Sequence, residues 1–430
     1  MYKISKLTDF LALVGLFCGG LYTLGGVLPF AVTQVVIIML FILILTKNLL
    51  LNKVILSKFL TFVLGVVVIT SFCFNHQYFD NESLQSLIGL VIYFSAYYWY
   101  VQDNKDNLLR LVRSYIFFCT AISVIGFIQE FGWLTGIEYL YDFSHYAVEV
   151  NNITTSGMFL RIYSITSEPA HLAFVLLPAV YFSLLRFINK SNEVAQFISK
   201  PVAIINIAAM LMTFSLVGYL SIVIIVAFIL TATRVGFLKS LITVVIGIAV
   251  VISSYMYIPN INLKVASLFV DRQNLVTSSN LSSFALISNM LVAKDSFIDS
   301  PLSGTGINTH RYSYDKYIGK YFRNILFELN KTGDASMYIR IPSELGIIGI
   351  FLVLFLFIRF KIKFKLNSYC NLQLYFINQM ALISILAGAI RNGNYLDPLF
   401  VFLIALYIYS YNTNKYQLKR QISVCAGIKQ

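Results

Sequence analysis

Long apolar runs alternate with short charged segments along most of the 430-residue chain. The runs extend for about 18–22 residues, the length that carries an α-helix across about 30 Å of hydrocarbon. Read between charges and turn residues, the pattern predicts twelve helices, near 9–26, 29–46, 54–74, 84–101, 108–129, 168–187, 201–216, 218–233, 239–258, 343–360, 370–390 and 395–412. The seventh and eighth are separated only at Val217 and Gly218. The expected fold class is therefore an all-α integral membrane bundle.

Composition sharpens this reading. Hydrophobic residues make up 58% of the chain and charged residues 12%, against roughly 25% charged in soluble domains. The net charge of +13 first suggests a nucleic-acid partner, but the distribution argues otherwise. With the amino terminus inside, every predicted inner segment carries Lys or Arg, among them Lys3, Lys47, Lys105, Arg186, Arg234, Arg359 and Lys419. This is the positive-inside pattern, and it expects both termini in the cytoplasm and no nucleic acid. The first run follows Lys3 and Lys6, yet no small-residue cleavage pattern follows it, so a retained helix is expected. The five cysteines show no disulfide framework, and His76, His145, His171 and His310 are too scattered for metal-ligand spacing. No P-loop is present, so neither ATP nor a metal is expected as cofactor.

Two large segments then fall outside, giving five divisions: N-terminal helices at 1–129, external loop 1 at 130–167, central helices at 168–258, external loop 2 at 259–342, and C-terminal helices with a cytoplasmic tail at 343–430. Loops on a rigid scaffold are where chemistry tends to sit. In the second loop, apolar residues of 314–327 recur at helical spacing opposite Lys316, Lys320 and Arg323. This predicts an amphipathic helix that covers the bundle end or lays a basic rail along the outer interface. The first loop is rich in aromatics (Trp133, Tyr139, Tyr141, Phe143, Tyr146, Tyr163), which suit a membrane interface or sugar stacking.

Four local patterns follow the same order. They are Arg161 to Glu168-Pro169-Ala-His171, then Thr213-Phe-Ser215-Leu-Val-Gly218, then Pro301-Leu-Ser-Gly304-Thr-Gly306, and Ser343-Glu344-Leu-Gly346-Ile-Ile-Gly349. With the span count and the two external loops, they make the chain resemble the bacterial O-antigen polymerase and ligase family, the Wzy-like membrane glycosyltransferases. The resemblance implies a GT-C-like bundle in the bacterial plasma (inner) membrane. It also implies a membrane glycosyltransferase that polymerises undecaprenyl-diphosphate-linked oligosaccharide repeats into O-antigen or capsular polysaccharide at the outer face, with a chain-length regulator and a flippase as partners. The chain departs from the ligases in lacking a His-Asn-type pair late in the second loop, which favours polymerisation. An O-antigen ligase and a lipid-linked oligosaccharide flippase or transporter are the alternatives.

Under that resemblance the leaving group is a diphosphate, best met by arginine, and the acceptor hydroxyl needs a base. Candidate catalytic residues are Glu168, His310 and Glu344; candidate substrate-binding residues are Arg161, His171, Arg311, Arg340 and Arg391. Each also has a structural reading. Arg161 suits an interfacial anchor, Glu168 and Glu344 compensate a helix dipole, and His171 suits a satisfied core histidine. Arg340 precedes Pro342, which reads as the start of a helix, so Arg340 is expected on the loop side rather than paired with Glu344. Gly304-Thr-Gly306 reads as a plain turn, since Thr309 breaks a GxGxxG pattern.

Overall fold

The computed structural model describes residues 2–17, 32–51, 58–146, 153–189, 191–233, 245, 281–322, 328–332, 336–363 and 371–425. Over these residues the chain is mostly helical: α1 Tyr2–Phe17, α2 Val32–Leu50, α3 Lys58–Val68, α4 Asn81–Asp103, α5 Leu108–Thr135, α6 Glu138–Tyr141, α7 Pro169–Ile188, α8 Asn192–Ala195, α9 Lys200–Met212, α10 Leu216–Thr233, α11 Leu281–Asp299, α12 His310–Tyr321, α13 Met337–Arg359, α14 Leu372–Gly388 and α15 Pro398–Cys425. A two-residue antiparallel ladder, β1 Thr155–Ser156 with β2 Phe159–Leu160, lies between α6 and α7. Among the described residues five helices are long and apolar enough to cross a membrane: α2, α4, the run Lys105–Thr135 that contains α5, α7 and α13. The predicted span at 239–258 apart from residue 245, the parts of other spans at 18–26, 29–31, 54–57 and 370, and the 323–327 end of the amphipathic helix lie outside the described residues. The remaining predicted spans coincide with helices.

α7 is the central element. It is apolar on all sides, which places a helix inside a bundle, and 72% of its most apolar window is buried, against 28% for α2 and 33% for α13. It packs on α9, α10 and α14, and α14 in turn packs on α15, which reaches α4. α13 instead exposes Phe351, Leu354 and Ile358, as expected of a face turned to lipid. The break between α9 and α10 falls at Thr213–Ser215 rather than at Val217 and Gly218. Phe214 takes a left-handed φ of 44°, and the Thr213 hydroxyl accepts from the Ser215 amide at 3.3 Å. Gly218 lies inside α10, against Ala173 of α7.

The described part of the second predicted loop, 259–342, holds more structure than its pattern predicts. α11 is an unanticipated helix that runs antiparallel to α12, and Phe284, Leu291 and Val292 of one pack against Tyr314, Ile318 and Phe322 of the other. The apolar face of α12 is thereby covered by protein. Its lysines do not form a free rail either: Lys316 pairs with Asp299 at 2.9 Å and Lys320 with Asp295 at 2.7 Å.

α13 is broken. At Gly346 the backbone turns to φ 57°, ψ −149°, which interrupts the internal hydrogen-bond ladder. The segment 301–306 inserts at the break and takes up the freed groups. The amides of Thr305 and Gly306 donate to the carbonyls of Ser343 and Glu344 at 3.2 and 2.8 Å, and those of Ile347 and Ile348 donate to Pro301 and Leu302 at 2.8 and 3.2 Å. Each such group left unpaired would cost about 1–3 kcal/mol. The fit requires two glycines. A Cβ on Gly304 would overlap the Glu344 backbone, and one on Gly346 would lie 2.6 Å from the Pro301 and Leu302 carbonyl oxygens. Gly304→Ala and Gly346→Ala are therefore each expected to lower the thermal midpoint of the detergent-solubilised protein sharply. Gly319→Ala, in open space on α12, should hold or raise it, because alanine favours a helix by about 1 kcal/mol over glycine.

Candidate functional site

The predicted site residues fall into two groups with different surroundings. The first surrounds Glu344, which is fully buried. Ser336 caps α13 by accepting the Tyr338 amide at 3.2 Å, so the helix starts before Pro342. Arg340 is consequently inside it, one turn from Glu344, and donates from Nε to Glu344 Oε1 at 3.0 Å. This corrects the expectation that Arg340 stays on the loop side. Its other nitrogens donate to the Gly393 carbonyl at 3.0 Å and Asn308 Oδ1 at 2.7 Å, and its guanidinium lies 4.2 Å from the Tyr395 ring centre. The Glu344 carboxylate also accepts the amides of Asn308 at 2.8 Å and His310 at 3.2 Å, together with the Tyr395 hydroxyl. It thus compensates the amino end of α12 rather than that of its own helix.

His310 and Arg311 are held equally firmly. The His310 ring is buried, with Nδ1 3.0 Å from Ser343 Oγ and Nε2 2.8 Å from Asn289 Oδ1. With both nitrogens engaged, the ring has no free position for a substrate proton. Burial, reinforced by the Arg340 charge, pushes its pKa down to about 4. Arg311 pairs with Asp80 and Glu82 at the start of α4. At Asp80, burial pushes the carboxyl up, but the Tyr312 hydroxyl, Ser83 and Arg311 outweigh it and hold the pKa at about 2. This first group ties the second predicted loop to α4 and to the turn before α15. Breaking one buried pair in such a network costs about 3–5 kcal/mol.

The second group lines a cavity of about 390 Å³ between the starts of α7 and α10 and the turn from α14 to α15. Glu168 and His171 reach it from the first turn of α7, Ser221 from α10, and Arg391 and Asp397 from the turn between α14 and α15. Asn330 reaches it from the second predicted loop and Ser167 from the first, so residues of both predicted loops meet here. Glu168 makes no side-chain cap bond to α7; only its carbonyl closes the first turn, accepting the His171 and Leu172 amides at 3.1 Å. Among the described residues the Arg391 guanidinium has no hydrogen-bond or ion-pair partner. Asp397 is buried: Oδ1 accepts the Leu399 amide at 2.9 Å, Oδ2 accepts Asn392 Nδ2 at 2.6 Å, and His171 Nε2 lies 3.9 Å from Oδ2. Burial pushes the Asp397 carboxyl up, while His171, Asn392 and two backbone amides pull it back.

Arg161 stands behind this wall rather than in it. It is 8% exposed, donates to Thr154 Oγ1 at 3.3 Å, and keeps a buried Nε without a partner among the described residues. Burial pushes its pKa down, against the pull of Glu168 and Tyr219. The first-loop aromatics pack on one another, with Trp133 edge-on to Tyr141 at 5.2 Å and the Tyr163 hydroxyl donating to the Tyr141 carbonyl at 2.8 Å. His145, one of the four scattered histidines, shares a surface turn with Glu138 and Asp142, their ligand atoms within 4.8 Å of one another.

Asp397, Asn330 and Ser221 were not anticipated from the sequence. For Asp397 a signal exists: Glu168-Pro169 and Asp397-Pro398 are both a carboxylate followed by proline at a helix start, and both open into the same cavity.

The His310 environment predicts acid lability. Between pH 6.5 and 4 the unfolded chain accepts a proton that the folded ring refuses, so stability falls as pH falls across that window, by about 3 kcal/mol. The thermal midpoint in nanodiscs should drop accordingly, and His310→Gln should flatten the dependence between those pH values. The chain matches no protein-family model and no curated protein.

Proposed function

We propose that this chain is a membrane glycosyltransferase that polymerises polyprenyl-diphosphate-linked oligosaccharide repeats at the outer face of the bacterial plasma membrane. On this reading it is a twelve-span, GT-C-like bundle, with the turn at 391–397 and the segments ending at Glu168 and around Asn330 on the external side. The observation that carries it is Arg391, without a side-chain partner among the described residues, in a cavity beside an acid and an imidazole.

The chemistry follows from charge. A diphosphate leaves with negative charge, and Arg391 can grip its oxygens bidentately while staying protonated. The amino ends of α7, α10 and α15 converge on the cavity, and each adds a partial positive charge that favours an anion. Arg161, behind Glu168, adds a further cation. Glu168 and His171 are the groups able to take the proton of an acceptor hydroxyl. His310, Arg311, Arg340 and Glu344 act on this reading as structural ties that hold the external segment over the cavity.

Purified protein in nanodiscs, given lipid-linked repeats without ATP, should lengthen them. Arg391→Ala should reduce the rate by about 10²–10³, the usual cost of removing one stabiliser of transition-state charge, and Arg391→Lys should restore part of it. Full-rate elongation by both Arg391→Ala and Glu168→Gln would overturn the site. Transfer onto a lipid A-core acceptor without lengthening would identify a ligase instead.

A further inference from the structure

We propose that Asp397 is a positioning residue for His171, and that His171 is the base that takes the proton of the acceptor hydroxyl. The inference rests on the glycosyltransferase reading and adds to it the identity of the base and of the group that orients it.

Two side chains compete for the role of base. Glu168 shares an electrostatic interaction with the buried Arg161 behind it, and its side chain caps no amide of α7. His171 has the opposite surroundings. Its side chain is 23% exposed, into the cavity, and its Nε2 faces Asp397 Oδ2 at 3.9 Å. Asp397 is itself immobilised: the Leu399 amide holds Oδ1, and Asn392 Nδ2 holds Oδ2. Asn392 is fixed in turn, since its Oδ1 accepts the Asn394 amide at 2.9 Å. A buried carboxylate held by a donor on each oxygen and facing an imidazole is the arrangement that orients a histidine base and sets its tautomer. Such bonds are commonly long in the substrate-free enzyme and tighten when substrate fills the site. Phe174, with its ring 6.5 Å from the imidazole and nearly parallel to it, limits how the ring can turn.

The step balances as follows. With Nε2–H directed at Asp397, the lone pair on Nδ1 takes the acceptor hydroxyl proton. The acceptor oxygen forms a bond to the anomeric carbon of the donor. The bond from that carbon to the diphosphate oxygen breaks, and its electron pair leaves with the diphosphate. The imidazolium is stabilised by Asp397 and later returns the proton to water or to the released diphosphate.

The charged and titratable groups around His171 are Glu168 on its own helix, Arg391 and Asp397 on the turn before α15, and Arg161 behind Glu168. Tyr93 of α4 and Tyr115 of α5 interact electrostatically with Asp397. Of these, Asp397 is the carboxylate beside Nε2, so its neutralisation should make the imidazolium easier to deprotonate. Asp397→Asn retains an oxygen for the Leu399 amide and so keeps the helix start.

The test reads the histidine directly as well as the reaction. In isotope-labelled protein in nanodiscs, with the His171 signal identified by its loss in His171→Gln, Asp397→Asn should lower the ring's titration midpoint by about one unit, a usual size for losing a close opposite charge. The acidic limb of the elongation rate should move by the same amount, with a loss in kcat larger than any change in KM. Glu168→Gln should leave the limb where it is. An unmoved His171 titration overturns the pairing, whatever the activity. A moved titration with an unmoved rate limb overturns His171 as the base. Wild-type protein that lengthens no lipid-linked repeat overturns the glycosyltransferase reading and the step with it, while the pairing is still decided by the titration.

Discussion

The peptide groups freed where α13 breaks at Gly346 must be satisfied inside apolar surroundings, and the arrangement of the 301–321 segment follows from that obligation. Away from water, an unpaired amide or carbonyl is costly enough that irregular backbone persists only where protein or a wet cavity supplies partners. Here the partners come from 301–306, a stretch threaded into the break. Once that stretch is fixed, the start of α12 is fixed with it, and Glu344, Arg340 and His310 become the side chains that close the junction. The same interaction therefore explains why two glycines, a buried ion pair and a buried histidine lie within a few ångströms of one another.

That junction and the cavity divide the polar work of the molecule. Around Glu344 the buried polar side-chain atoms of Arg340, Glu344 and His310 are matched by partners, which makes the region rigid and chemically closed. The cavity has the opposite character. Arg391 has no partner among the described residues, Asp397 is held by Leu399 and Asn392 and faces His171 at 3.9 Å, and His171 is partly accessible. Unfinished polar valences in a water-accessible concavity are what a ligand completes, whereas finished ones hold a fold together. The two regions touch through the turn at 391–397: its Gly393 carbonyl accepts Arg340, while Arg391 and Asp397 enter the cavity. The ties at the junction thus set where the cavity residues stand.

Hydropathy alone was enough to locate most helices, because an apolar run long enough to cross hydrocarbon has few other stable conformations. Glu168 and His171 were also legible as a pair, since a spacing of three residues puts them on one helical face. The remainder was decided by tertiary contacts. α11 carries too many polar residues for its helix to stand out by hydropathy, and it is stabilised by packing on α12. The lysine stripe of α12 looked free because its counter-charges, Asp295 and Asp299, lie on that unrecognised helix. Arg340 pairs with Glu344 because Ser336 starts α13 before the proline, a choice made by contacts to the 389–392 region. Charge, periodicity and length are local properties that one strand of sequence carries by itself. Which carboxylate meets which cation depends on positions hundreds of residues apart, as with Arg311 and Asp80 or His171 and Asp397, and only the folded chain brings those together.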